Sequence, residues 1–77
     1  MNVKEWLAAY AERLGTEPPT TEELKTILDV AGAAARGSER LAAPAACWVS
    51  AKSGRSLAES LEIAREIGEP EGERDRS

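Results

Sequence analysis

At 77 residues, with one cysteine and no histidine, the chain is a single small domain with no internal disulfide and without the commonest general base and metal ligand. A net charge of −4 argues against nucleic-acid binding, which calls for a basic face. No apolar run approaches membrane-spanning length, no signal peptide follows Met1, and a lone thiol suits a reducing compartment, so a cytoplasmic protein off the membrane is expected.

The first predicted helix opens at Asn2, with Glu5 at capping-box spacing. Val3, Trp6, Leu7, Tyr10 and Leu14 then mark one apolar stripe, and Gly15 ends it. Pro18-Pro19 breaks the chain before a second capping box, Thr20 with Glu23. Leu24, Ile27, Leu28, Ala31 and Ala35 repeat the stripe up to Arg36-Gly37. Gly32 lies inside this helix at a cost of up to about 1 kcal/mol against alanine. Close approach of a neighbouring helix is the expected reason for it.

The third helix is predicted from Pro44 to Gly54. It is apolar on nearly all sides, with only Ser50, Lys52 and Ser53 polar, so it is expected to be the buried hub of the fold, with Trp48 largely buried. Its start lacks a Ser, Thr, Asp or Asn cap. Proline suits a first helical position, but the N–H groups of Ala45 and Ala46 are left without an obvious side-chain acceptor. Ser56 and Glu59 form a third capping box, ahead of a fourth helix with Leu57, Leu61, Ile63, Ala64 and Ile67 on its apolar face and Gly68 as its stop. Beyond it, residues 69–77 hold no apolar side chain and are expected to be a disordered charged tail. The fold class that follows is all-α, a compact antiparallel four-helix bundle with helices at about 3–14, 20–36, 44–53 and 57–67, in one domain over 1–68.

Glu5-Trp6-Leu7, Leu14-Gly15, the run Leu28-Asp29-Val30-Ala31 and the segment from Glu39-Arg40-Leu41 through Ala42-Ala43-Pro44 together carry a resemblance. They resemble a small actinobacterial helical domain of unknown function, found alone or fused behind nucleotidyltransferase-like domains identified with molybdenum-cofactor guanylyltransferases. The resemblance covers roughly Val3 to Gly54. The chain departs from that pattern at Leu41, where proline is expected, and at Ala45-Ala46-Cys47, where bulkier or hydroxylated residues are expected. The resemblance implies a link to molybdenum-cofactor nucleotide metabolism but no catalytic residue, since the transferase chemistry belongs to the neighbouring domain.

The residues themselves assign no catalytic or metal-binding group and no cofactor. Cys47 has no Cys-x-x-Cys partner and reads as a small buried hydrophobe. Glu59, Glu62 and Glu66 read as a solvated face. Lys52-Ser53-Gly54-Arg55-Ser56 lacks phosphate-loop spacing and reads as a turn. Trp6, Tyr10 and Trp48 could stack a planar ligand, but in a chain without phenylalanine they are first of all the bulk of a core.

Two functions follow. The first is a non-catalytic interaction or accessory module, docking on a protein partner or on itself, with Trp6, Tyr10, Cys47 and Trp48 as core or contact residues. The second is a small anion- or nucleotide-binding domain. It would use the start of the third helix, with Arg36, Arg40 and Arg65 gathered near the N–H groups of Ala45 and Ala46.

Overall fold

Three of the four helices begin where a side chain closes the first turn. The structure, a computed structural model, describes residues 1–68. They form α1 (Val3–Leu14), α2 (Thr21–Gly37), α3 (Ala42–Ser53) and α4 (Leu57–Ile67), a helical bundle with no strand among the described residues. The tail expected over 69–77 lies outside the described residues.

Each predicted capping box is formed in both directions. The Asn2 side chain accepts from the Glu5 N–H at 2.8 Å while Glu5 accepts from the Asn2 N–H at 2.9 Å. Thr20 and Glu23 exchange bonds of 3.0 and 2.8 Å, and Ser56 and Glu59 of 3.1 and 3.3 Å. Each cap satisfies amides that the helix geometry leaves over, worth about 1 kcal/mol. At the far end of α1, Gly15 takes a left-handed conformation and its N–H reaches the Ala11 and Glu12 carbonyls.

The start of α3 differs from expectation. The helix begins at Ala42, two residues before Pro44. Leu41, at the cap position, has helical backbone angles (φ −64°, ψ −21°) and makes no side-chain cap bond. The chain instead winds into the helix through a tight turn, in which the Ala42 N–H donates to the Glu39 carbonyl at 2.9 Å and the Ala43 N–H to that of Arg40 at 3.1 Å. Pro44 falls third in the helix, where its missing N–H costs nothing.

α2, and not α3, is the hub. Both α3 and α4 come close to its backbone. It supplies Val30 and Ala33, two of the three buried apolar residues among those described, the third being Ala11 of α1. α3 buries no residue fully, and Trp48 is 63% exposed, its ring lying 5.1 Å below the Lys52 ammonium. The reason is geometric. Apolar residues all round a helix permit burial, but burial needs neighbours on every side. α2 has α3 and α4 packed on two of its faces, whereas α3 has α2 along one side.

Small residues set the packing of α2 on α4. Ala33 and Gly37 of α2 stand four apart, as do Ala64 at the end of α4 and Gly68 just past it. Ala33, Ala64 and Gly68 line one cavity at this pole. A Cβ on Gly37 would sit 2.8 Å from the Gly68 carbonyl oxygen. The two helices therefore end together, running in the same direction, and Gly37 has no side chain because backbone occupies that space. At Gly32 the expected helix neighbour is not there. The nearest group to its missing Cβ is the Arg36 guanidinium, Nη1 at 3.0 Å.

α1 joins the rest through its other face. Ala11 is buried and Leu7 half-buried, and the Lys4 ammonium donates to the Thr21 hydroxyl at the start of α2. Trp6 and Tyr10 lie face to face, ring centroids 4.9 Å apart and planes tilted by 31°, and each remains about half exposed.

Candidate functional site

Because α3 and α4 both pack on α2, a groove is left between them. Its floor is Val30, 2% exposed. One wall is Ala46, Val49, Ser50 and Ser53 of α3, and the other is Ser60, Ile63, Ala64 and Ile67 of α4. Arg55 stands at the end where the chain turns from one helix to the other. The volume is about 350 Å³. Its rim is apolar and open to solvent: Val49 is 59%, Ile63 40% and Ile67 84% exposed.

The charged residue that lines the groove is Arg55; Lys52 of α3 lies over the Trp48 ring, and the Glu59 carboxylate of α4 turns back to accept from the Ser56 N–H.

Sequence reasoning did not single out Ser60, yet it is the buried polar residue of this groove, 9% exposed. Its N–H donates to the Ser56 carbonyl at 3.0 Å. Its hydroxyl makes no hydrogen bond among the described residues. The signal was present: Ser60 lies three residues after Leu57 and four before Ala64, on the apolar face.

The residues considered for anion binding are only partly brought together. Arg36 and Arg65 do line the cavity of about 280 Å³ at the pole where α2 and α4 end, with Ala33, Ala64 and Gly68; Arg40 is not among its lining residues. With α3 starting at Ala42, Ala46 is its fifth residue, whose N–H falls within the ordinary i→i−4 ladder, while Ala45 is the fourth, in the first turn whose N–H groups the helix itself leaves over. Ala46 faces the apolar groove. Two helix C-termini, each a partial negative charge, meet at this pole, so the arginines there complement the dipoles.

Of the remaining candidates, Cys47 is half-buried and lines a cavity of about 110 Å³ with Ile27, Val30, Ser50 and Leu57. Trp6 and Tyr10 stack on each other, apart from Trp48. Among the described residues no group of three or more His, Cys, Asp or Glu is placed to hold a metal ion, and no helix is long and apolar enough to cross a membrane.

The model of a domain of unknown function, DUF6457, matches residues 1–69. The chain belongs to the DUF6457 family. The match takes in all four helices and so reaches well past the Val3–Gly54 span of the sequence resemblance. No match was found among curated proteins or among solved structures.

Proposed function

We propose that this DUF6457 domain is a non-catalytic, cytoplasmic interaction module that docks through the α3–α4 face. The observation that carries the reading is the open apolar rim of the groove, Val49, Ile63 and Ile67, beside only three buried apolar residues among those described. Single exposed apolar side chains are ordinary, but a contiguous set around a groove marks a contact surface. The Ser60 hydroxyl beneath it, which makes no hydrogen bond among the described residues, is a further group that an occupant would satisfy. The sequence resemblance to domains carried behind guanylyltransferase-like nucleotidyltransferase domains favours work beside molybdenum-cofactor nucleotide metabolism, the module assembling proteins while a separate domain performs the chemistry.

Site-specific photo-crosslinking in the native cell tests this. A photoreactive residue at Val49 is expected to give discrete protein adducts, and one at the exposed Glu17, away from the groove, none. The absence of any adduct at Val49 beyond the Glu17 background would refute the module.

A further inference from the structure

We infer that α1 is a hinged arm, which undocks from the bundle as a unit while α2, α3 and α4 stay assembled. The inference is independent of the interaction-module reading, since it concerns a different helix and a motion rather than a partner.

The packing divides the molecule between α1 and α2. α3 and α4 both lie along α2, where Val30 and Ala33 are buried, and α1 lies along none of the three. The one buried residue of α1 is Ala11, whose side chain is a single methyl group, with Leu7 half-buried one turn before it. Its large apolar residues Val3, Trp6, Tyr10 and Leu14 are each half or more exposed. Docking α1 therefore removes little apolar surface from water, and the stabilisation scales with that surface. Among the described residues, the hydrogen bond that ties α1 to another helix runs from the Lys4 ammonium to the Thr21 hydroxyl at an exposed position, where water competes for both groups.

The remaining helices do not lean on α1. The Thr20–Glu23 box caps α2 from within its own first turn, and α2 meets α4 at its far end, at Gly37 and Gly68. A segment with few buried contacts opens at a lower free energy than the whole chain. The pivot is built for this. The Thr16 N–H donates back into α1, to the Ala11 carbonyl at 2.9 Å, and the Thr20 N–H donates forward into α2, to Glu23 at 2.8 Å. Between them Pro18 and Pro19 have no N–H to give. A bend over residues 17–19 therefore breaks no hydrogen bond among the described residues. Once undocked, a helix of 12 residues is marginal in water, so opening and loss of helix go together. Opening presents Leu7 and Ala11, which the docked arm keeps covered, together with Trp6, Tyr10 and Leu14 on one tethered segment.

Hydrogen exchange of the full chain, read amide by amide by NMR, tests the arm. The α1 amides from Leu7 to Leu14 are expected to share one protection, roughly tenfold or more below that of Val30 and Ala33. Thr21→Val removes the acceptor of the Lys4 bond at an exposed position. It is expected to lower the α1 protection a further twofold or so and to leave that of α2 unchanged. In Trp48→Phe, also at an exposed position, Trp6 is the remaining indole. Its fluorescence is expected to change several degrees below the main circular-dichroism transition.

Equal protection in α1 and α2, or coincident transitions, overturns the inference, because α1 then opens only when the whole chain unfolds. Protection that declines gradually towards both ends of α1 also overturns it, since that is fraying and not release of a unit. A Thr21→Val effect that reaches α1 and α2 alike does the same. Crosslinking at Val49 is unaffected by any of these results, so either reading can fail alone.

Discussion

Alanine substituted for glycine at two positions of α2 should change stability in opposite directions. At Gly37 the new methyl carbon would stand 2.8 Å from the Gly68 carbonyl oxygen, well inside van der Waals contact. The obstacle is backbone, so α2 and α4 must move apart or the end of α4 must shift. Overpacking of this kind costs about 1–3 kcal/mol. Alanine recovers at most about 1 kcal/mol through helix propensity, and less at the last residue of a helix. The net expectation is a loss of about 1–2 kcal/mol, or roughly 4–16 °C in melting temperature for a domain of this size. At Gly32 the nearest group is the far end of the Arg36 side chain, 3.0 Å away, and a long side chain adjusts by a few tenths of an ångström more easily than backbone does. There the propensity gain remains, and the melting temperature should rise by a few degrees. Thermal unfolding followed by circular dichroism reads both. If Gly37→Ala is as stabilising as Gly32→Ala, the helices do not meet at Gly37–Gly68 and the packing of α4 described above is wrong.

Val30→Ala should cost about 2 kcal/mol, since Val30 is 2% exposed at the floor of the bundle, and chemical denaturation will show whether it exceeds every exposed-position truncation. Trp48→Ala should cost about 1–2 kcal/mol, below the 3–5 kcal/mol of a buried aromatic; a fully unfolded variant would place the indole in the core after all. Ser56→Ala should cost about 1 kcal/mol through the lost α4 cap. Leu41→Ser should gain no cap, because Leu41 already has helical backbone angles and a capping side chain acts from extended ones; a rise of several degrees in its melting temperature would contradict the observed start of α3.

What the sequence by itself determined is local. The spacing of Asn2–Glu5, Thr20–Glu23 and Ser56–Glu59 located three helix starts, and the apolar stripes with Gly15, Gly54 and Gly68 located the ends, because caps and stops depend on residues within one turn of each other. Where that chemistry was missing, at Leu41, the boundary was misread by two residues, since backbone carbonyls of Glu39 and Arg40 close the turn and backbone bonding leaves no mark on side-chain identity. The centre of the fold was a tertiary decision. An apolar α3 and a small-residue α2 were both eligible, and steric fit chose α2, where Ala33 and Gly37 let α4 approach until backbone meets backbone. The groove has the same origin. Val49 was expected inside as part of an α3 apolar on nearly all sides, and Ile63 and Ile67 from their spacing; they became surface because α3 and α4 each spend one face on α2 and leave the wedge between them open.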